Sequence, residues 1–150
     1  MKRNLMTVSV LMIAVLVFVT ASPALAGGKP FSMILDWRQV VPEGTGDPNA
    51  FGDVSLTVNG GQGELCYQLR AFVFVYGDDI TGATINRAPA GENGPQVVDL
   101  QPVFDGEFAD GCVNIDSSLA KDIQRNYSQY YLLVTDDSHP DGAARAQFAK

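Results

Sequence analysis

One histidine stands in the sequence, and it limits the acid–base chemistry that the chain can do. His139 lies in the turn-like segment Ser138-His139-Pro140, directly after Asp136 and Asp137. A serine, a histidine and an aspartate act as a catalytic triad when a fold brings them together from separate segments, and neighbours within one turn lack that geometry. We therefore expect a solvated turn around His139 and no catalytic residues, so the sequence favours a non-enzymatic protein.

Three acid-rich segments could hold a cation or a pair of catalytic carboxylates. They are Asp78-Asp79, residues 136–141 and residues 47–53. A glycosidase needs two carboxylates at a set separation inside a cleft, and acids at loop tips do not predict one. Calcium takes about six to eight oxygens, and Phe51 occupies the fifth position of the EF-like segment. We expect turns with no metal and no cofactor, and leave calcium binding in the Asp-rich turns open.

The amino-terminal segment is built like a secretory signal peptide. Lys2 and Arg3 precede an uncharged, mostly apolar stretch, and Ala24-Leu25-Ala26 fits the small-residue cleavage rule. A membrane anchor is the alternative, but the stretch is shorter than the roughly 20 residues that a spanning helix needs. We predict a signal peptide over residues 1–26 and one domain over residues 27–150. The protein is then secreted or periplasmic, with no membrane insertion after cleavage.

The two cysteines, Cys66 and Cys112, also bear on the compartment. An even count in an exported chain predicts a disulfide, and two cysteines allow one intramolecular pairing. On the loop-closure model this bond removes roughly 4 kcal/mol of unfolded-chain entropy. Two buried free thiols or a metal pair are the alternatives, and a metal pair lacks further ligands because His139 is the sole histidine.

The charge balance of the chain is acidic, since 17 Asp and Glu residues stand against 10 Lys and Arg, for a formal net charge of -7. Two of the cations, Lys2 and Arg3, belong to the segment that we expect to be removed. An acidic chain without a basic cluster repels phosphate groups, so nucleic acids and acidic lipid surfaces are disfavoured. The partner that we expect is an extracellular or periplasmic ligand of unknown identity.

Apolar and polar residues alternate through most of the chain after residue 30, the pattern of half-buried strands. The strand candidates lie at residues 31–37, 54–58, 65–69 with a continuation or bulge at 71–76, 80–85, 96–100, 112–115, 130–134 and 143–148. About eight short strands predict an all-β fold, an immunoglobulin-like or Greek-key β-sandwich or barrel. One short helical insertion interrupts them, because Asp116 or Ser117 can cap a helix that runs to about Asn126.

Five segments, in order, resemble the CHRD (chordin-type) domain family over nearly the whole mature chain. They are residues 35–42, 46–52, 64–67 and 91–100, and the closing stretch from Tyr130-Tyr131 to Arg145-x-Gln147. The fourth is similar to the family's Gly-x-x-Gly-Pro-Val-Val-x-Leu segment, and the last to its Pro-x-Gly-x-x-Arg-x-Gln ending. The resemblance implies a secreted β-rich domain. Chordin itself binds growth factors, but a shared fold does not carry a ligand from one protein to another.

The departures from the family pattern fall where a metal could bind. Many members carry His-Ile-His before the Gly-rich loop and Asn-Val-His after the Tyr pair, where this chain has Thr84-Ile85-Asn86 and Leu133-Val134-Thr135. Thr and Asn are poor transition-metal ligands, since neither offers an imidazole nitrogen or a thiolate. We expect instead a polar patch in which Thr84 and Asn86, on one strand face, hydrogen-bond to Thr135.

Two further expectations concern the closing strands. Arg145 is expected to pair with an acid across the sheet, with Asp99 or Asp36 as the partner. Tyr130 and Tyr131, at strand spacing, favour a place in the core over a carbohydrate-stacking surface.

The sequence as a whole favours a secreted binding or structural module. A metal-binding or redox protein on a superoxide-dismutase-like Greek-key barrel is one alternative, which the missing histidines disfavour. A self-associating envelope or matrix component, whose edge strands pair between chains, is the other.

Overall fold

The computed structural model describes residues 28–71 and 79–149. The predicted signal peptide, Asp78 and most of the apolar run at 71–76 lie outside the described residues. Eight strands and one α-helix are described: β1 (Lys29–Asp36), β2 (Phe51–Asn59), β3 (Glu64–Ala71), β4 (Ile80–Arg87), β5 (Gln96–Asp99), β6 (Phe108–Asn114), α1 (Ser117–Arg125), β7 (Tyr130–Asp136) and β8 (Ala144–Gln147). Two short 3₁₀ helices, Trp37–Gln39 and Tyr127–Gln129, follow β1 and precede β7.

The eight described strands form one antiparallel sheet in the order β5-β4-β7-β8-β1-β2-β3-β6. Each strand contributes buried side chains to a single hydrophobic cluster, so the sheet curls around one core. The predicted all-β fold is confirmed. The strand last in chain order, β8, lies between β7 and β1 and joins the two halves of the described sheet.

The period-two pattern predicts which side of each central strand is buried. Val54, Leu56 and Val58 of β2 are buried, while Ser55 and Thr57 point to the outer side. Their cross-strand partners in β1 and β3 are buried as well, except Lys29, which stands opposite Val58 and is partly exposed. The burial of these apolar side chains fixes the register in which β2 pairs with β1 and β3. A slip of one residue would turn the apolar side chains of β2 toward the outer side.

Helix α1 begins where the sequence predicts it. The Asp116 carboxylate accepts hydrogen bonds from Ser118 N at 2.6 Å and Leu119 N at 3.4 Å. Bonds from Ser118 therefore hold the pKa of Asp116 below its usual value. Ile123 is buried in the core, and Gln124 Nε2 donates to Val58 O at 2.6 Å, which fastens the helix to β2. Among the described residues, no helix is long and apolar enough to cross a membrane.

The second attachment of α1 joins Asp122 to β7. Asp122 accepts hydrogen bonds from the Tyr130 hydroxyl and from Asn126 Nδ2, the latter at 2.7 Å, and it forms an ion pair with Arg87 at 3.3 Å. The Tyr130 bond is the main reason why the pKa of Asp122 is lowered. Burial, followed by the bond to Asp122, raises the pKa of Tyr130 to about 12.

Candidate functional site

The predicted polar patch falls on the outer side of β4 and β7. Thr84 stands opposite Leu133 and Asn86 opposite Tyr131, so the two polar side chains lie on the same face of the sheet. Asn86 Nδ2 donates to Thr84 Oγ1 at 2.8 Å, and Asn86 is buried. The structure therefore brings two of the three predicted residues into direct contact.

Thr135 lies on the same side of the sheet but has a different partner. Its hydroxyl accepts a hydrogen bond from Thr81 Oγ1 at 3.0 Å. The register shifts between Ile80 and Gly82, and this irregularity places Thr81 beside Thr135. The expected bond from Thr84 or Asn86 to Thr135 is thus replaced by one to Thr81.

Arg145 is buried on the outer side of β8, with only 1% of its surface exposed. It donates to Glu92 O at 2.8 Å, to Pro89 O at 3.0 Å and to Gln147 Oε1 at 2.7 Å. The guanidinium carbon lies 3.6 Å from the centre of the Tyr131 ring. Burial lowers the pKa of Arg145, and the carbonyls and the ring face supply the contacts that a buried cation requires.

The prediction that Arg145 pairs with Asp99 or Asp36 is wrong. Asp36 is the cross-strand partner of Arg145, but its carboxylate accepts from Arg38 N at 2.9 Å. Asp99 accepts from Gln101 N at 3.0 Å. The loop that joins β4 to β5 lies over the guanidinium instead, and its backbone carbonyls take the place of a carboxylate.

Gln147 and Tyr131 fasten the same loop at its two ends. Gln147 Nε2 donates to Ala88 O at 3.1 Å and to Tyr130 O at 2.9 Å. The Tyr131 hydroxyl accepts from Gly94 N at 3.2 Å. Tyr130 belongs to the hydrophobic core, as predicted, whereas Tyr131 is buried outside that core, beneath the loop. We call the outer side of β7 and β8, covered by residues 88–95, the sealed face.

The outer side of β2, β3 and β6 is uncovered by described residues and forms a second candidate site. Two depressions of about 410 and 340 Å³ adjoin along it and share Ser55, Gln68 and Asp110. We call this surface the open face, defined by Asp53, Ser55, Gln68, Arg70, Phe108 and Asp110.

An aromatic ring and an ion pair stand at one end of the open face. Phe108 is 57% exposed, and the guanidinium carbon of Arg70 lies 5.9 Å from the centre of its ring. Arg70 also donates through Nε to Asp53 Oδ1 at 2.8 Å, across the β2–β3 pair. The open face thus combines an accessible apolar platform with hydroxyl, amide, guanidinium and carboxylate groups.

The disulfide lies at the other end of the open face. Cys66 of β3 and Cys112 of β6 stand opposite each other with a Cα–Cα distance of 4.0 Å and are bonded, which confirms the predicted pairing. Next to it, a Cβ on Gly111 would lie 2.9 Å from the Tyr67 hydroxyl oxygen, so glycine allows the tyrosine ring to pack directly under β6. Burial is the main cause that raises the pKa of Tyr67.

The turn around His139 is less solvated than the sequence predicts. Asp136 is fully buried, and its Oδ1 accepts from His139 N at 2.6 Å and lies 3.0 Å from His139 Nδ1. Asp47, from the other acid-rich turn, is buried beside it. One carboxylate oxygen of each aspartate and one ring nitrogen of His139 lie within 4.8 Å of one another. Sequence reasoning missed this cluster because its members belong to two turns that are distant in the chain.

These features define a class of protein: a disulfide-bonded, all-β domain whose curled sheet has one sealed and one open outer face. The model of the CHRD domain family matches residues 31–148, so the chain belongs to the CHRD domain family. No curated protein and no solved structure matches the chain. CHRD domains are typically extracellular or periplasmic, and the disulfide is consistent with such a location.

Proposed function

We propose that this CHRD domain is a non-enzymatic binding module that works outside the cytoplasm, secreted or periplasmic, and that the open face is its ligand surface. The observation that carries the proposal is the exposed Phe108 ring beside Arg70, set among polar side chains on a disulfide-linked pair of strands. A surface on paired strands is ordered before the ligand arrives, which reduces the entropy lost on binding. The signal peptide predicted at residues 1–26 supports the location.

The groups on the open face suit a neutral, hydroxyl-rich ligand such as an oligosaccharide. Ser55 and Gln68 can each donate and accept hydrogen bonds, and the Asp110 carboxylate accepts them. The Phe108 ring offers an apolar surface to the C–H groups of a sugar ring. The net charge of -7 and the carboxylate of Asp110 disfavour an anionic ligand.

The sealed face is a poorer candidate for ligand binding, although it carries the residues that best mark the family. The guanidinium of Arg145 and the amide of Gln147 already bond to the backbone of residues 88–95. Both residues also line a depression of about 310 Å³ beside the loop, but Arg145 is almost fully buried and its donors are already bonded to loop carbonyls. Their role in this proposal is to hold the fold together.

A glycan-binding assay with matched variants tests the proposal. The wild-type protein, Phe108→Ala and Phe51→Ala are titrated with neutral oligosaccharides by calorimetry. Phe51 is the control because it is an exposed phenylalanine on β2 that lines neither depression. We expect Phe108→Ala to weaken binding by about tenfold or more and Phe51→Ala to leave it unchanged. Absence of glycan binding by the wild type, or equal losses in both variants, would contradict the assignment.

A further inference from the structure

The backbone holds Asp47, Asp136 and His139 in one place. Asp47 N donates to Ala143 O at 3.0 Å, and Ala143 N donates in turn to Val134 O at 2.8 Å, so the segment around Asp47 is fastened to the connection between β7 and β8. On the other side, the His139 N–H bond to Asp136 Oδ1 closes the turn that carries the imidazole. The three side chains therefore meet on a fixed frame that joins two separate acid-rich turns.

The electrostatics of this cluster are unbalanced. Asp47 and Asp136 are 4% and 0% exposed, and the one ion-pair partner of Asp136 among the described residues is His139. Asp136 Oδ2 is buried and accepts a hydrogen bond from no described residue. Burying two neighbouring carboxylates is costly unless a cation or a proton lies between them. A buried carboxylate oxygen without a hydrogen-bond donor among the described residues, on a residue that lies beside a second buried carboxylate, therefore points to a bound cation.

The donor set indicates the class of cation. An imidazole nitrogen with two carboxylate oxygens is a set that Zn²⁺ and similar divalent transition metals accept, whereas Ca²⁺ takes about six to eight oxygens. Both carboxylates are already oriented: Asp47 Oδ1 accepts from Asn49 N at 2.9 Å and from Asn49 Nδ2 at 3.1 Å, as Asp136 Oδ1 does from His139 N. Such supporting bonds hold metal ligands in position.

We propose that Asp47, Asp136 and His139 bind one divalent transition metal, Zn²⁺ or Mn²⁺, between the β7–β8 connection and the segment that precedes β2. The site is independent of the open face, and its residues are not those that replace the family's histidines at Thr84, Asn86 and Thr135. The metal balances the two buried carboxylates and links the two turns. Its removal is expected to loosen the junction between β8 and the β1–β2 connection.

Metal titration of the full chain tests this proposal. The protein is stripped with a chelator and titrated by calorimetry with ZnCl₂, MnCl₂ and CaCl₂. We expect saturable binding of one Zn²⁺ or Mn²⁺ per chain, weaker binding of Ca²⁺ and a rise in Tm with metal. Asp136→Asn and His139→Gln should each weaken binding by about tenfold or more. Asp137→Asn, a neighbouring exposed carboxylate, is the matched control and should leave the affinity unchanged.

Two variants, Asp136→Asn and His139→Gln, are used so that a loss of metal binding can be distinguished from a loss of folding. In Asp136→Asn the side-chain carbonyl can still accept the His139 N–H bond, and circular dichroism checks that this variant is folded. His139 is partly exposed, so His139→Gln is the milder change. Co²⁺ adds a spectroscopic readout, because loss of the nitrogen ligand in His139→Gln should shift its visible absorption. Absence of saturable binding, a preference for Ca²⁺, or equal binding by wild type and both variants would overturn the proposal.

Discussion

The sealed face and the open face are each organised around an arginine that lies near an aromatic ring, yet the two arginines have opposite roles. Arg145 contacts Tyr131 and is 1% exposed, while the side chain of Arg70, near Phe108, is 44% exposed. Arg145 donates to loop carbonyls and to the Gln147 side chain, whereas Arg70 donates to the Asp53 carboxylate. The covering loop makes the difference. Its carbonyls accept the hydrogen bonds of Arg145, so that this arginine stabilises the fold. No described loop covers Arg70, and its guanidinium group stays accessible to a ligand.

The largest effect on stability is expected from loss of the disulfide at one end of the open face. Replacing Cys66 and Cys112 with serine should lower the free energy of unfolding by roughly 4 kcal/mol, because the unfolded chain regains loop-closure entropy. Urea denaturation of the wild type and the double variant measures the change. Reductant should destabilise the wild type by a similar amount and leave the variant unaffected. A loss below about 1 kcal/mol would mean that the bond adds little to the strand pairing.

Arg145→Met tests the sealed face directly. The variant removes a charged donor from two loop carbonyls and from Gln147, and unpaired buried polar groups are costly, so we expect a loss of about 3 kcal/mol. Urea denaturation measures the free energy of unfolding. Arg145→Lys keeps the charge but loses the planar guanidinium, so its stability should lie between those of the wild type and Arg145→Met. If Arg145→Met is as stable as the wild type, the sealed face is not held by this residue.

Tyr130→Phe tests a partly buried contact, for which we expect an intermediate effect. It removes the hydroxyl that bonds to Asp122, with an expected loss of about 1 kcal/mol near neutral pH. The pKa of Asp122 is lowered by folding, so this contribution is present above pH 3.8 and is lost as the pH falls through the folded-state value. The pKa of Tyr130 is raised from 10.0 to about 12, so the contribution is also lost as the pH rises through that range.

A pH series of urea melts checks the Tyr130 prediction. The stability difference between wild type and Tyr130→Phe should stay constant between about pH 5 and 9 and shrink at both ends. A difference that grows at acid pH would have the wrong sign for a lowered aspartate pKa. Tyr127→Phe is the control, because Tyr127 is a neighbouring tyrosine and the described side-chain hydrogen bonds to Asp122 come from Tyr130 and Asn126.

The smallest stability effect is expected at Arg70. Arg70→Met breaks an exposed ion pair with Asp53, and such pairs contribute about 0 to 1 kcal/mol. The same type of substitution that is expected to destabilise the protein at Arg145 should therefore leave the free energy of unfolding nearly unchanged at Arg70, while it weakens ligand binding. Equal losses at Arg70 and Arg145 would remove the contrast between the two faces.

The sequence predicts the framework well, because each element of the framework has a local signal. Alternation in β2 and β3 marks the buried side, Asp116 marks the start of α1, and the cysteine count gives the disulfide. These signals act over a few residues or follow from a single possible pairing. They could therefore be interpreted without knowledge of the tertiary structure.

The sites were harder to predict, for three physical reasons. The loop partners of Arg145 are backbone carbonyls, which leave no trace in side-chain identity. Thr135 meets Thr81 because of a register shift in β4, which simple alternation does not reveal. The proximity of Asp47 and Asp136 depends on how the curled sheet arranges turns that are distant in the chain. Each reason is a tertiary effect that overrides a correct local pattern.

The central position of β8 has a consequence for how the chain matures. Residues 144–147 join the β5-β4-β7 half of the described sheet to the β1-β2-β3-β6 half, although a ribosome makes them after every other described strand. Until they emerge, β7 and β1 each lack a neighbour, and such open edges invite pairing with other chains. Long-range pairing of this kind also slows folding. The sheet therefore cannot be completed without residues 144–147, and a chain that lacks them leaves the edges of β7 and β1 unpaired.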